Sequence, residues 1–251
     1  MEDVLDVYQR PLDEKQPLVC LDEASKQILS EVRSTLPLEP GRPLRQDSEY
    51  KRNGTANLFM VCAPLLGWRH VEVTDRRTSV DFARIIKTLV DDQFPDADKI
   101  VLVLDNLNTH TPASQYQAFA PAEAKRLADK LEVHYTPKHG SWLNMAEIEF
   151  SVLSRQCLSA RMGSKEYLQE QVAVWNQTRN DHGIGVSWRF TTADARIKLK
   201  RLYPLSYRED VLVVLHGRIE GYNLPSVSSR AWGKMPRMPR FQSLYSTVKD
   251  H

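Results

Sequence analysis

The sequence predicts an α/β protein with a mixed sheet of about five strands flanked by helices. Two extended apolar segments, Leu58 to Leu66 and Trp68 to Val73, are joined by Gly67 and indicate a β-hairpin. The aliphatic run Ile100 to Leu104 is typical of a strand that is buried on both faces of a sheet. Between them, apolar residues recur at helical spacing from Ser79 to Asp92, with Thr78 or Ser79 available as a cap.

The remaining elements follow from the same two periodicities. A first strand is predicted from Pro17 to Leu21 and a fifth from Glu132 to Thr136. Further helices are predicted at Pro121 to Leu131, Trp142 to Leu158, Ser164 to Asn180 and Thr191 to Leu202, the last of which begins with the cap-like Thr191-Thr192. The predicted order is strand, strand, strand, helix, strand, helix, strand, helix, followed by two more helices.

The chain is predicted to change character after residue 204. Residues 1–204 contain all the strongly periodic segments. They also contain a proline-rich loop, Leu36 to Pro43, between the first two strands. In residues 205–251, Val211 to Leu215 is a plausible strand, whereas Asn223 to Arg240 is rich in Ser, Pro, Gly and Arg. We therefore expect one domain, residues 1–204, and an extension of unknown role, residues 205–251, that is partly disordered.

Composition excludes several classes of protein. Of 251 residues, 41% are hydrophobic and 26% are charged, which is the range of an ordinary globular protein. The three cysteines are scattered, without the spacing of a disulfide framework or a zinc site. The sequence has neither an apolar stretch of membrane-spanning length nor the basic start of a signal peptide, so we expect a cytoplasmic protein without a membrane partner.

Three acidic residues are candidates for a metal site. Asp22 and Asp105 each follow a predicted strand, and Glu147 lies on a predicted amphipathic helix. An isolated Asp-Asn after a strand is often only a turn, but two such endings and a helical acid favour a shared function. Clustered carboxylates repel each other unless a cation binds them, and oxygen is the ligand that Mg²⁺ prefers. Two such ions can activate a nucleophile and stabilise the leaving oxygen of a phosphodiester.

The same helix also carries Glu149. The two glutamates differ by about 200° around a helix axis, so only one of them can face the sheet. Glu147 lies beside the apolar positions of the helix, which predicts that Glu147 faces the sheet and that Glu149 is a surface charge.

Four motifs stand out along the chain: Leu21-Asp22-Glu23, residues 101–106 with His110 downstream, residues 136–147 and residues 188–196. Together they resemble the motifs of the bacterial insertion-sequence transposases of the Tc/mariner superfamily. The resemblance covers roughly residues 15–204, and its third motif, Thr-Pro-Lys-His-Gly-Ser-Trp-Leu-Asn-Met-Ala-Glu, is quite specific.

The resemblance implies a ribonuclease-H-like fold and a catalytic, metal-binding triad of Asp22, Asp105 and Glu147. It implies Mg²⁺ or Mn²⁺, with two ions, and a homodimer that cuts transposon ends and joins them to target DNA. The sequence departs from the family at Met145, where many relatives have proline, and in a longer interval between Asp105 and Glu147. Relatives also have a helix-turn-helix region before the first aspartate. About twenty residues precede Asp22 here, so we expect a chain without that region, a remnant of a longer transposase.

Other residues of these motifs are predicted to support the site or to contact DNA. Asn106 and His110 are placed to orient a metal-bound water or a phosphate, although Asn106 also suits a turn and His110 a surface position. Lys138, His139 and Ser141 precede a helix start, where phosphate is favoured. Asn144 is a third predicted supporting residue, and with Trp142 it could stack on or hydrogen-bond to a nucleotide. The other predicted DNA contacts are Trp142 and the cations Arg196, Lys198, Lys200 and Arg201. A core position for Trp142 and a solvated basic helix for the cations are the alternatives.

Three other functions remain open from the residues. In a phospho-acceptor signalling module, Asp22 and Glu23 would hold Mg²⁺, Asp105 would take the phosphoryl group and Lys138 would lie nearby, but that module needs alternating strands and helices. An inactive DNA-binding remnant would keep the same triad. A ribonuclease acting on RNA in hybrids would share the fold and the metal chemistry.

Overall fold

The structure, a computed structural model, describes residues 1–33, 40–41, 48–107 and 109–203. Its centre is a five-stranded sheet with the strand order β3-β2-β1-β4-β5. The strands are β1 (Leu18–Glu31), β2 (Tyr50–Ala63), β3 (Trp68–Thr74), β4 (Ile100–Leu104) and β5 (Leu131–Tyr135). β1, β2 and β3 are antiparallel neighbours, whereas β4 is parallel to both β1 and β5.

This topology confirms the predicted fold class, a mixed sheet of five strands with the ribonuclease-H-like arrangement. The predicted hairpin is present as β2 and β3, which pair in register from Asn57 with Thr74 to Ala63 with Trp68. An antiparallel hairpin directly after the first strand is not the alternating strand and helix order that a phospho-acceptor module needs, so the topology opposes that alternative.

Seven α-helices lie in the described part of the chain. They are α1 (Glu2–Val7), α2 (Ser79–Thr88), α3 (Ala113–Ala118), α4 (Pro121–Asp129), α5 (Ala146–Gln156), α6 (Lys165–Asp181) and α7 (Thr192–Lys198). α2 continues as a π-helical turn over Leu89–Gln93, and single 3₁₀ turns follow at Ser141–Leu143 and Lys200–Leu202. The predicted caps are present, because Thr78 and Thr191 each form a capping box with the acid three residues later. α1 was not predicted, because six residues are too short to show a periodic pattern.

The two faces of the sheet pack against different helices. Alternate residues of β1 divide between them, with Leu18 and Cys20 on one face and Val19 and Leu21 on the other. The first face packs against α1, α5 and α6, and we call it the α5 face. The second packs against α2 and α4, and we call it the α2 face. The core therefore has two layers, one on each side of the sheet.

Two predicted boundaries near the acidic residues were wrong. β1 does not end at Leu21 but extends to Glu31, because beyond Cys20 it loses β4 as a neighbour and continues to pair with β2. That outer part is only partly apolar, so it lacks the signature of a buried strand. The helix predicted from Trp142 begins at Ala146, because Asn144 adopts an extended backbone conformation that separates it from the preceding 3₁₀ turn.

Several predictions concern residues that the structure does not describe. The strand at Val211 to Leu215, the disorder at Asn223 to Arg240 and most of the loop at Leu36 to Pro43 lie outside the described residues. Within the described ranges, none of the helices combines the length and the apolar character that crossing a membrane requires.

Candidate active site

Asp22 and Asp105 lie where β1 and β4 separate. The two strands pair in parallel from Leu18 with Val101 to Cys20 with Val103. Asp22, within β1, and Asp105, directly after the end of β4, each stand two residues beyond that last pair, so the parallel register carries the two aspartates to the same edge of the sheet. Neighbouring strands are about 4.8 Å apart. The topology thus brings two acids together that are far apart in the sequence.

Glu147 approaches this edge from α5, where it lies in the first turn. Asn144 connects the two elements: its side-chain Nδ2 donates a hydrogen bond to the carbonyl oxygen of Leu21 (2.7 Å), and its Oδ1 accepts one from the backbone N–H of Ala146 (3.1 Å). Leu21 precedes Asp22 and Ala146 precedes Glu147. Asn144 is fully buried, so it joins the strand to the helix, and the predicted contact of this side chain with a nucleotide is wrong.

The electrostatics of Asp22 show that the three acids influence one another. Burial, together with the negative charges of Asp105 and Glu147, raises the pKa of the Asp22 carboxyl to about 7. The backbone N–H of Glu23 donates to Asp22 Oδ1 (2.7 Å), which offsets only part of this effect. In the described part of the chain, no group of three or more His, Cys, Asp and Glu side chains is gathered tightly enough to hold a metal ion. Asp105 and Glu147 are therefore electrostatic neighbours of Asp22, and the side chain of His110 offsets only part of their effect on its pKa.

His110 is buried against Asp105 and does not lie at the surface. Its Nδ1 is 2.5 Å from Asp105 Oδ1, and its Nε2 is 3.4 Å from Glu23 Oε2. Burial alone would lower the pKa of the His110 imidazole, but the contacts with Asp105 and Glu23 outweigh it and raise the pKa to about 9. The imidazole is therefore cationic at neutral pH. Asn106, which was also predicted to support the site, is exposed.

Glu149 was predicted to be a surface charge, and that prediction was wrong. Its carboxylate is almost fully buried and contacts two arginines: Arg69 Nε at 3.2 Å and Arg179 Nη2 at 3.2 Å. The prediction failed because it assumed that a charged side chain beside the apolar stripe reaches water, whereas β3 and α6 supply buried cations here. One signal was available, since Arg69 alternates with Val71 and Val73 on the buried side of β3.

The residues predicted to contact DNA fall into two groups. Lys138 and His139 are exposed in the segment before the 3₁₀ turn, and Ser141 is exposed as the first residue of that turn. Trp142 instead packs in an aromatic cluster with Trp188 (ring centroids 6.4 Å apart) and Phe190 (5.9 Å). The alternative of a packed Trp142 therefore describes the structure, while the three polar side chains before it remain accessible.

The basic residues near α7 are exposed, but two of the four have acidic neighbours. Arg196 forms a bidentate pair with Glu2, at 2.8 Å and 2.9 Å. Lys198 lies 3.8 Å from Asp194 and 5.5 Å from the centroid of the Phe190 ring. Lys200 and Arg201 are also exposed. Through Phe190 and Trp142, this basic segment is continuous with the exposed segment that carries Lys138.

A family model described as "DDE superfamily endonuclease" matches residues 17–169. The chain therefore belongs to this family of DDE superfamily endonucleases. Asp22, Asp105 and Glu147 all lie inside the matched segment. No curated protein matches the sequence.

The fold is also similar to that of solved structures of Mos1 transposase. A paired-end complex with the left transposon end has 14% sequence identity and a TM-score of 0.48, and the match covers 68% of this chain and 52% of that one. The strand transfer complex has 16% identity and a TM-score of 0.49, with 72% and 54% covered. A mariner paired-end complex with Mn has 16% identity and a TM-score of 0.47, with 72% and 55% covered. The match thus spans about half the length of those chains.

Proposed function

We propose that this chain is the catalytic domain of a DDE-type DNA transposase of the insertion-sequence kind, which cuts DNA strands and joins them with the help of Mg²⁺ or Mn²⁺. The observation that carries the proposal is the register of β1 and β4, which brings Asp22 beside Asp105 with Glu147 near enough to raise the pKa of Asp22. Membership of the DDE superfamily endonucleases supports the reaction class.

The donor set fits a hard divalent cation. All three groups are carboxylates, and such oxygens are the preferred ligands of Mg²⁺ and Mn²⁺. The raised pKa of Asp22 reflects burial and the neighbouring carboxylates, which outweigh the charge of His110, and a bound cation would add positive charge at this site. We propose that small rotations of the three side chains bring them into the tighter cluster that coordination requires.

In this proposal, different residues bind the metal ions, position the helix that carries Glu147 and contact DNA. Asp22, Asp105 and Glu147 hold the cations, which when bound activate the attacking oxygen and stabilise the leaving oxygen of a phosphodiester. Asn144 keeps the helix that carries Glu147 fixed to the strand that carries Asp22. Lys138, His139 and Ser141, which are exposed in the adjoining segment, contact the phosphate backbone of DNA and position the strand.

The basic surface at Lys198, Lys200 and Arg201 is proposed as a second, sequence-independent contact with DNA. Arg196 contributes less, because its charge is paired with Glu2. We also propose that the chain acts as a homodimer on DNA, since the two ends of a mobile element are processed together.

A plasmid-nicking assay tests the catalytic proposal. Supercoiled plasmid is incubated with Mn²⁺ and either the unaltered chain or Asp105→Asn, and nicked product is measured over time. The substitution removes one metal ligand and several kcal/mol of transition-state stabilisation, so we expect nicking to fall by about a hundredfold or more. The matched control is Asp98→Asn, an exposed aspartate before the opposite end of β4, which should nick like the unaltered chain.

Three outcomes would count against the proposal in different ways. Equal nicking by the unaltered chain and Asp105→Asn would remove Asp105 from the catalytic site. Binding of plasmid without nicking by any variant would favour the inactive DNA-binding remnant. A preference for RNA in an RNA–DNA hybrid over plasmid DNA would favour a ribonuclease.

A further inference from the structure

Glu23 is a buried acid next to Asp22, and the proposed chemistry does not use it. Adjacent residues of a strand point to opposite faces of the sheet. Asp22 shares the parity of Cys20 and belongs to the α5 face, whereas Glu23 belongs to the α2 face. The side chain of Glu23 is only 5% exposed. Because burying a carboxylate without a partner is costly, its partners indicate what it does.

The partners of Glu23 form a chain of charged groups that runs from solvent to Asp105. Arg77, which is half exposed, approaches Glu23 Oε1 at 3.3 Å. On the other side, Glu23 Oε2 lies 3.4 Å from His110 Nε2, and neither of these two buried atoms has a hydrogen-bond partner within the described ranges. His110 Nδ1 then contacts Asp105 Oδ1 at 2.5 Å. Each ring nitrogen of His110 thus faces a carboxylate oxygen.

The imidazole of His110 is also held from its other sides. Its ring packs against the ring of Phe82 with the centroids 4.8 Å apart. The backbone carbonyl oxygen of His110 accepts a hydrogen bond from the Tyr135 hydroxyl at 2.9 Å. With the ring fixed by Phe82 and its Nε2 directed at Glu23, the direction of the Nδ1 contact with Asp105 is fixed as well.

We propose that Glu23 is a positioning residue that acts through His110 to orient the Asp105 carboxylate. His110 engages Oδ1 of Asp105, so the orientation presents Oδ2 to a divalent cation. This inference rests on the proposed function, because it assumes that Asp105 is a metal ligand. Groups that orient a metal ligand in this way commonly change metal affinity by 10- to 100-fold when they are altered.

Position and charge can be separated with two substitutions of Glu23. Glu23→Asp keeps the negative charge but shortens the side chain by one methylene, which withdraws its oxygens from His110. Glu23→Gln removes the charge but keeps the reach and leaves a carbonyl oxygen that accepts from Nε2. If Glu23 positions His110, the aspartate variant is the damaged one. If Glu23 acts only through its charge, the order is reversed.

Mn²⁺ binding to the full chain at neutral pH is the measurement, with free Mn²⁺ followed by electron paramagnetic resonance. We expect the Kd for Mn²⁺ to rise about tenfold in Glu23→Asp and to stay near that of the unaltered chain in Glu23→Gln. The matched control is Glu72→Asp on the edge strand β3, where Glu72 Oε2 contacts His70 Nε2 at 3.1 Å. The control should bind Mn²⁺ like the unaltered chain.

The opposite order of the two Glu23 variants, or unchanged binding in a folded Glu23→Asp, would overturn the positioning role. Thermal melts establish whether each variant is folded. If Glu23→Asp does not fold, the exposed Arg77→Ala replaces it, because losing Arg77 frees Glu23 Oε1. Arg77→Ala should then weaken Mn²⁺ binding about threefold, which is less than the loss expected from removing an orienting group directly. Unchanged Mn²⁺ binding in Arg77→Ala would also overturn the positioning role of Glu23.

The experiment separates this inference from the proposed function. Asp105→Asn is measured in the same series, and it must weaken Mn²⁺ binding if Asp105 is a ligand. If Asp105→Asn bound Mn²⁺ as tightly as the unaltered chain, or if the unaltered chain did not bind Mn²⁺, the proposed metal site itself would be wrong. Weakening by Asp105→Asn without weakening by Glu23→Asp would defeat only the positioning role of Glu23.

Discussion

Helix α5 carries two glutamates in its first turn whose surroundings are opposite in charge. Glu149 lies between Arg69 and Arg179, so a buried anion has two buried cations as neighbours. Glu147 lies near Asp22, and the negative charges of Glu147 and Asp105 help to raise the pKa of the Asp22 carboxyl. The two residues are separated by a single position in the sequence.

The difference separates a structural acid from a proposed functional one. A buried charge that serves the fold is compensated by the chain itself, because an unpaired ion in the interior is strongly destabilising. The acids at the edge of β1 and β4 are instead gathered with like charges. Burial and these like charges oppose ionisation of Asp22, so the proposed cation would stabilise the folded chain when it binds there.

The largest effect on stability is expected from removing Glu149, the buried anion that lies between Arg69 and Arg179. Glu149→Ala leaves Arg69 and Arg179 buried without their anion, so the free energy of unfolding should fall by about 3–5 kcal/mol. Urea denaturation followed by circular dichroism measures this change. The matched control is Glu170→Ala on the exposed side of α6, which should change stability by less than about 0.5 kcal/mol. A loss in Glu149→Ala as small as in the control would mean that the arginines reach solvent.

A substitution at Asp22 is expected to have the opposite effect on stability, a gain. The folded chain raises the pKa of Asp22 to about 7, whereas an unfolded aspartate has a pKa of about 3.9. Folding therefore favours the protonated form, and ionisation of Asp22 costs stability progressively from about pH 4 to pH 7. Asp22→Asn removes that cost, so the metal-free variant should be more stable at pH 8 by about 2 kcal/mol once solvent screening is allowed for.

The pH and the metal provide the controls for this prediction. At pH 4 the unaltered chain and Asp22→Asn should unfold at nearly the same denaturant concentration, because Asp22 is then mostly protonated when folded. Adding Mn²⁺ at pH 8 should stabilise the unaltered chain and not the variant, which loses a ligand. Destabilisation by Asp22→Asn at pH 8 without metal would show that His110 and the backbone N–H of Glu23 stabilise the Asp22 carboxylate by more than burial and the neighbouring acids oppose it.

The contrast between these two centres also marks what the sequence could predict. The parallel register that joins Asp22 and Asp105 follows from two apolar strand segments, each of which leads into an acid. The hairpin of β2 and β3 and the capping boxes of α2 and α7 are local patterns, and they were predicted for that reason. Local periodicity was sufficient wherever the signal lies within one element.

The failures concern partners from distant elements. Glu149 was placed at the surface because its compensating arginines belong to β3 and α6, which no pattern on α5 reveals. The burial of His110 between Asp105 and Glu23 likewise depends on the sheet register and on Phe82 of α2. A sequence shows which residues can be charged, whereas the tertiary contacts decide which charges are compensated.

The smallest effect is expected at a third kind of acid, an exposed one that already has a cation. Glu2 is paired with Arg196, and hydrogen bonding to Arg196 is the main reason that the pKa of Glu2 is lowered to about 2. A lowered pKa contributes stability above the unfolded pKa of about 4.3, and this contribution is lost as the pH falls towards 2. Because the Arg196 side chain is 60% exposed, water and salt screen the pair.

Arg196→Ala should therefore lower the free energy of unfolding by only about 0.5 kcal/mol at pH 7, and by less at pH 2. Lys200→Ala is the control, since Lys200 is exposed nearby and has no acid within ion-pair distance among the residues that the structure describes. Raising the salt concentration at pH 7 should shrink the difference between the two variants. If Arg196→Ala instead lowered the free energy of unfolding as much as Glu149→Ala, the exposure of the Glu2–Arg196 pair would not reduce its contribution to stability. The pairing of opposite charges would then determine the contribution of both Glu2 and Glu149, whether buried or exposed.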